Sequence, residues 1–299
     1  MDRLYLMTVF VAVAEKESFA GAARQLGMSP PAVTRAIATL EARLAVKLLD
    51  RTTRYVRVTE VGQGYLQDAR RIIIAADEAD HAVVGGNAEP RGHLVVTAPV
   101  LFGRMYVMPG IIDYLRAHPG TDVSALFLDR VVNMMEEGVD VGIRIGELGD
   151  SSYRALRVGQ VRRVVCASPA YLDQFGIPTV PEELTGHTLV VASSMSARAD
   201  WRFQCQGKAL TLQVKPRLVV SSNDAAIEAA LRGIGLTRVM SYQIAPMLAS
   251  GELKIVLSEF ETPPVPIHII HREGRHASAK IRCFIDLMAA RLRADSSLA

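Results

Sequence analysis

Residues 18–63, SFAGAARQLGMSPPAVTRAIATLEARLAVKLLDRTTRYVRVTEVGQ, decide how the rest of the chain is read. Ser18 is suited to cap a helix with Phe19, Ala22, Ala23 and Leu26 on one side. Gly21 and Ala22 are small enough to let another helix come close. Gly27 stops that helix and Met28 bridges. Ser29-Pro30 then starts another, Ser as the cap and Pro at the first helical position, where no amide partner is needed. Two helices joined by a Gly-containing turn of this length form a helix-turn-helix. In the helix that follows, Val33, Ile37, Leu40 and Leu44 are spaced 4, 3 and 4 apart and make one core stripe. At about 100° per residue, Pro31, Thr34, Arg35, Ala38 and Ala42 point the opposite way. The free face is therefore short side chains around one arginine, near the positive end of the helix dipole. A DNA major groove admits such a helix: Arg35 reaches guanine edges or phosphate, and Pro31 and Ala38 touch thymine methyls. A solvated helix face has the same composition, and this helix alone does not separate the two.

The following residues do. Leu48–Val58 reads as two short strands around a basic tip, with Tyr55 and Arg57 alternating against Val56 and Val58. A β wing of this kind carries Arg51 and Arg54, with Thr52 and Thr53 between them, toward a minor groove or phosphates. Residues 1–58 hold nine basic against five acidic groups, an excess larger than the +3 of the whole chain. Local basic excess beside a groove-sized helix points to nucleic acid. In spacing and in nearly every marked position, residues 18–63 resemble the winged helix-turn-helix of LysR-type transcriptional regulators. The resemblance implies DNA contacts from Ser29, Pro30, Pro31, Ala32, Thr34, Arg35 and Ala38 of the helix, and from Arg51, Thr52, Thr53 and Arg54 of the wing. That family usually has a small residue at the position of Pro31, Gly at that of Ala45 and Phe at that of Leu49. Pro31 lies in the first turn, where a missing amide proton is tolerated, so altered base contacts are expected rather than a broken helix.

Residues 59–84 form one long helical pattern capped by Thr59. Val61, Tyr65, Ala69, Ile72, Ala76, Asp80 and Val83 recur at intervals of 3 or 4, and Ile73 and Val84 widen the stripe. So much apolar surface requires a partner. Pairing with a second copy, as in a coiled coil, is the simplest, and packing within the same chain is the alternative. In LysR-type proteins this segment is the dimerising linker helix, which assigns that role to Val61, Tyr65, Ala69, Ile72, Ile73, Ala76 and Val83. The run 85–92, GGNAEPRG, breaks the helix and marks a domain boundary. The expected division is a DNA-binding domain at 1–58, a linker helix at 59–88 and a regulatory domain at 91–299.

From His93 onward strands and helices alternate. Strands are predicted at 94–97, 123–128 and 139–145 with helices near 104–117 and 131–137, a βαβαβ half on a parallel sheet. A second round has strands at 162–167, 188–192, 210–214, 218–221, 236–240 and 254–256, with helices from Pro169, at 223–232 and at 241–249. A strand at 264–270 and a helix at 277–293 close the chain. Two similar α/β halves describe a bilobal, periplasmic-binding-protein-like fold, with lobe 1 at about 91–161 and 266–299 and lobe 2 at about 162–265. The LysR resemblance extends here through VTAPVLFGR, VDVGIRIGEL, RRVVCASPAYL and SSNDAAIEAALRGIGL. In such a fold the ligand sits where strand ends face each other across the lobes. Thr97, Ala98 and Pro99 end the first strand and open its helix, and Asn223 opens a helix in the other lobe. Phe102 and the loop of Ser193, Ser194 and Met195 are expected to wall the pocket, and Arg144 to hold an anion bidentately. The resemblance assigns Thr97, Ser193 and Asn223 to an effector pocket; Arg144 is read from the residues alone. A cap, a turn or a structural ion pair is the competing role for each.

The 299 residues are 49% hydrophobic and 22% charged, which excludes global disorder. No apolar run approaches the roughly 18 residues of a membrane span. The apolar stretch 4–14 has Glu15-Lys16-Glu17 where a signal-peptide cleavage site belongs, and Leu4, Met7, Val11 and Ala14 fall on one helical stripe. A cytoplasmic location is expected. Cys166, Cys205 and Cys283 are too far apart for a zinc motif and odd in number, so reduced thiols are expected. His268, His271 and His276 lack an acidic or Cys companion at ligand spacing, so no metal is expected. Gly233-Ile234-Gly235 stands between helix and strand, the reverse of the dinucleotide order. With no GxSxG, HExxH, P-loop or CxxC, neither catalysis nor a cofactor is expected. The expected partners are a double-stranded operator, a small anionic effector, further copies of the chain as dimer or tetramer, and RNA polymerase. Rival readings are a solute-binding protein, which leaves residues 1–58 without a use, and an enzyme with an accessory DNA-binding domain.

Overall fold

The structure, a computed structural model, describes residues 2–51, 56–84, 89–149, 153–192, 199–272 and 278–298. It divides into two compact units, Met1–Ala88 and Glu89–Ala299.

The first unit is built on α1 (Arg3–Lys16), α2 (Phe19–Leu26) and α3 (Pro30–Leu44). The Ser18 hydroxyl accepts the Gly21 amide at 3.1 Å and caps α2. Gly27 ends that helix at φ +62°, a left-handed conformation that suits a residue without Cβ. Ser29 occupies the N-cap of α3, but its side chain makes no cap bond; Pro31 removes one of the two amides such a bond would serve. Leu6, Phe10 and Val13 of α1 close over Ala22, Ala23, Val33, Ile37 and Leu40. Strands β1 (Leu49–Arg51) and β2 (Val56–Val58) pair antiparallel as a hairpin. Helix α4 (Glu60–Val84) starts at the Thr59 hydroxyl, which accepts the Gly62 amide at 3.0 Å. Gly62 lies against the wing base, where a Cβ would overlap the Leu48 carbonyl oxygen.

The second unit begins with β3 (Gly92–Ala98), followed by α5 (Val100–Phe102), a π-helical turn at Gly103–Val107 and α6 (Met108–Ala117). Helical structure here starts earlier than the periodicity predicts, and Gly103 lets the π turn lie on the Phe127 ring. Strands β4 (Thr121–Phe127), β5 (Val141–Ile145) and β6 (Arg154–Val161) follow. The helix predicted near 131–137 is a single turn: the Asn133 side chain accepts the Met135 amide at 3.1 Å, and Gly138 leaves at φ +64°. The chain crosses directly into β7 (Arg163–Ala167), then runs through α7 (Pro169–Phe175), β8 (Leu189–Ala192), the hairpin β9 (Ala199–Cys205) and β10 (Lys208–Val214), and β11 (Leu218–Val220). Next come α8 (Asn223–Leu231), β12 (Leu236–Met240), a 3₁₀ turn at Ser241–Ile244, α9 (Ala245–Ala249) and β13 (Lys254–Val256). It returns in β14 (Val265–His271), followed by α10 (Ala279–Ala294) and a 3₁₀ turn at Ser296–Leu298.

The sheets have orders β4-β3-β5-β14-β6 and β11-β8-β12-β7-β13. In each, one strand lies parallel between two neighbours (β3 between β4 and β5, β8 between β11 and β12), and the returning strands are antiparallel. The lobes are thus mixed sheets rather than the parallel sheet expected, because β6, β7 and β14 carry the chain between lobes and back. One core joins them: Leu94, Val96, Ile143 and Ile267 of the first sheet are continuous with Val164, Cys166 and Val239 of the second and with Tyr242 of the turn after β12. Burial pushes the Cys166 thiol up to about 12, so it behaves as a core apolar group rather than a thiolate.

Candidate DNA-binding face and effector pocket

On α3 the buried side is Val33, Ala36, Ile37, Leu40 and Glu41, and the exposed side carries Pro31, Thr34, Arg35, Ala38 and Ala42. Ser29 and Pro30 are exposed and Ala32 is half-buried. The Thr34 hydroxyl donates back to the Pro30 carbonyl at 3.0 Å, which leaves its oxygen as an acceptor only. Among the described residues Arg35 has no ion pair, so its guanidinium is free for an external acceptor. Glu41 sits where the sequence offered no functional signal. Its buried Oε1 accepts the amides of Leu48 and Leu49 at 3.0 and 3.2 Å, and Lys47 Nζ approaches Oε2 at 3.6 Å. The recognition helix and the wing's first strand are therefore held in one register. Thr59 ties the other strand to the same base, its hydroxyl donating to the Lys47 carbonyl at 2.9 Å. Strand β1 ends at Arg51, while Thr52, Thr53 and Arg54 lie outside the described residues.

The stripe assigned to dimerisation divides. Tyr65 packs on Phe10 with ring centroids 5.6 Å apart, and Ala69 is fully buried. Both are spent within the chain, since α4 docks on α1; burial raises the Tyr65 phenol. Val61 and Ile72 remain exposed at 60% and 44%, Ile73 and Ala76 are half-buried, and the side chain of Val83 lies outside the described ones.

The residues expected in the effector pocket separate in the same way. Thr97 has no exposed surface, and its hydroxyl donates to the Leu126 carbonyl of the neighbouring strand at 2.8 Å, so it is not a free donor for a carboxylate. Ala98 is buried and Pro99 half-buried. Phe102 is fully buried: it stacks on Tyr106 at 4.9 Å and meets Tyr242 edge-on at 5.2 Å, an aromatic contact from lobe 1 to lobe 2. Burial lifts the Tyr242 phenol far above its usual range, and it stays a neutral donor. Arg144 lies on β5 opposite His268, away from the cavity described next. Among the described residues its Nη1 reaches only the Ile143 carbonyl, at 3.4 Å, and its buried Nη2 makes no hydrogen bond. Burial pulls its pKa down against the opposing charge of Glu137, a carboxylate already bidentate with Arg130 at 2.6 and 2.7 Å. Ser193 and Ser194 lie outside the described residues.

Of that set, Asn223 lines a cavity. The space, about 310 Å³, opens in lobe 2 where β8 and β12 end and α8 begins. Val191 and Ala192 come from β8, Val239 and Met240 from β12, Trp201 from β9 and Gln243 from the following turn. Its charged groups are Arg163, Arg238 and Asp200. Arg238 Nη2 donates to the Arg202 carbonyl at 2.6 Å, and its guanidinium lies over the Phe203 ring, 5.5 Å from the centroid. Burial, then the charges of Arg163 and Arg202, push its pKa down to about 10. Strand register creates this cluster: Met240 lies opposite Arg163, and Arg202 is paired with Thr211 on β10. Positions 163, 202 and 238 share no short motif, so only the alternation of Arg238 within Leu236–Met240 hinted that its side chain leaves the core.

The profile described as "Bacterial regulatory helix-turn-helix protein, lysR family" matches residues 4–63, and "LysR substrate binding domain" matches 87–293. The activator AaeR of Escherichia coli K12 is 30% identical over 289 residues, covering 96% of this chain and 93% of that protein. The probable regulator LtrA of Klebsiella pneumoniae is 28% identical over 286 residues, 95% of this chain and 93% of the other. Among solved structures, CrgA of Neisseria meningitidis, described as a LysR-type transcriptional regulator, superposes with TM-score 0.63 at 29% identity over 96% of this chain and 98% of that one. The full-length virulence activator AphB of Vibrio cholerae shares the fold with TM-score 0.60 at 24% identity, covering 97% and 99%.

Proposed function

The chain belongs to the LysR family of transcriptional regulators, and from that premise we propose how its parts divide the work. Unit 1–58 reads an operator with α3 in the major groove, Arg35 on base edges or phosphate, and the wing on the backbone or minor groove. Exposed Arg35 among short side chains is the observation that carries this assignment. Helix α4 pairs with a second copy through Val61, Ile72 and the half-buried Ile73 and Ala76, so two recognition helices address half-sites about one helical turn, or a multiple of it, apart.

The domain from Glu89 onward is the sensor, and an anionic metabolite occupies the lobe-2 cavity against Arg238, Arg163 and Asn223. Ligand shifts DNA-bound geometry only by as much as it prefers one lobe arrangement over another. The protein acts by binding rather than turnover, works in the cytoplasm where its operator is, and meets RNA polymerase at the promoter it controls. Among the described residues no helix is long and apolar enough to cross a membrane.

The experiment is to incubate the full chain with random genomic fragments at physiological salt and sequence what it retains. A recurrent, roughly palindromic site is the expected result. Sequence-blind retention that salt abolishes would reduce the N-terminal unit to a generic cationic patch.

A further inference from the structure

We propose that the lobe-2 cavity selects a small organic dianion, with Arg238 as the fixed anchor and Arg163 as the residue that discriminates two negative charges from one. This deepens the reading of that cavity as the effector site and rests on it.

Charge balance within the cavity is the starting point. Arg163 and Arg238 line it, Asp200 is the single lining carboxylate among the described residues, and Arg202, outside the lining, stands on the same strand face as Asp200. Two lining guanidinium groups against one carboxylate leave one positive charge unmatched, and the charge of Arg202 beside Arg238 adds to the field. Among the described residues none of the three arginines forms a salt bridge. The nearest acid on α8, Asp224, is engaged elsewhere, held by Ser222 and the Ala225 amide with Arg104 of the other lobe nearby. Bringing like charges together in a half-buried site costs free energy that an anion recovers.

The anchor is preorganised. Arg238 is fixed by the Arg202 carbonyl and by Phe203, so an arriving carboxylate or phosphate meets a guanidinium already oriented. Its depressed pKa reports the same crowding and still leaves it protonated at neutral pH. Arg163 is exposed at the start of β7 and reaches a second anionic group rather than the first. Asn223, first residue of α8, adds an amide donor, and Trp201 supplies apolar wall. About 310 Å³ admits a short dicarboxylate or a phosphate ester and is small for a nucleotide.

Calorimetric titration of the full chain with succinate, inorganic phosphate and propionate at fixed ionic strength tests this. One dianion or both bind at least about tenfold tighter than propionate, and which of them does so separates a carboxylate effector from a phosphorylated one. Arg163→Gln, a change at an exposed position, removes most of that preference and leaves propionate binding in place. Arg238→Gln weakens all three. Equal affinity for propionate and both dianions, lost in Arg238→Gln, overturns the dianion and keeps the cavity as the effector site. Binding that neither substitution alters overturns the cavity assignment as well. Absence of binding by every probe at millimolar concentration overturns the proposed charge selectivity.

Discussion

The recognition helix and the lobe-2 cavity each centre on an arginine, and each presents it by opposite means. Arg35 is exposed because Val33, Ile37 and Leu40 turn one face of a single helix inward and leave it on the other. Arg238 is half-buried because β12 lies between β8 and β7, and the groups around it come from β7, β9, α8 and the turn after β12. A helical face is fixed within about two turns of chain. A cavity is fixed by which strands become neighbours, a choice made over the stretch 163–243. Helical periodicity therefore discloses the first arginine from sequence, whereas the second becomes visible only with the sheet order.

The largest expected effect breaks the simple half of that comparison. If the N-terminal unit were held by helical stripes alone, Gly62 on α4 would tolerate alanine, which has the better helix propensity. Yet Gly62 abuts the Leu48 carbonyl, with Val58 and Thr59 close by. Gly62→Ala is therefore expected to cost about 3 kcal/mol through backbone overlap at the wing base. Chemical denaturation followed by circular dichroism should show an earlier first transition with the effector unit's transition unmoved. Two unchanged transitions would mean that α4 can slide away from the wing freely.

Arg35→Ala comes next, with a loss of about 2 kcal/mol of specific operator binding if that guanidinium reads a base. The informative readout is the ratio of operator to random-DNA affinity. A proportionate fall on both would reassign Arg35 to phosphate, and an unchanged footprint would remove it from the interface.

These two substitutions also mark how far the sequence was legible. Caps and stops such as Ser18, Gly27 and Thr59 act on amides within four residues, so their structural roles follow from spacing. The alternation of strands and helices after His93 likewise locates two lobes, although the turn at Asn133 imitates a helix and the strand Arg154–Val161 lacks clean alternation. Side-chain direction in the cavity was less legible. Spacing locates Thr97 and Phe102 at the ends of their elements, but the hydroxyl turns to Leu126 and the ring to Tyr106 and Tyr242. The strand position of Arg144 is legible, whereas the register that sets it beside His268 is not. Apolar spacing identifies the buried face of a helix, but does not identify its partner: Tyr65 and Ala69 fit a dimer stripe and were used by α1.

Thr97→Val sharpens the distinction between a residue at the pocket and one in it. Valine keeps the volume of threonine and loses the donor to Leu126, which is worth about 1 kcal/mol of stability. The effector dose response should keep its midpoint, because the hydroxyl is already committed to the sheet. A shifted midpoint at unchanged stability would return Thr97 to the ligand, as the family resemblance implies.

The smallest expected effect lies at the other end of the recognition helix and has the opposite sign. Ala45 caps α3 at φ +54°, a left-handed conformation in which its Cβ crowds the backbone. Its amide and that of Val46 return to Ala42 and Glu41, so the conformation is required by the helix end and by the Glu41 clamp on the wing. Ala45 is exposed, and deleting its methyl group gives up little buried surface. Relief of strain then outweighs the extra freedom glycine brings to the unfolded chain, and Ala45→Gly is expected to stabilise the unit by about 0.5–1 kcal/mol. Thermal denaturation of the isolated variant change in an otherwise identical full chain measures it. A loss of stability would mean that the α3–wing junction gains more from a stiff unfolded state than it loses in strain, and that the helix end is set by Glu41 alone.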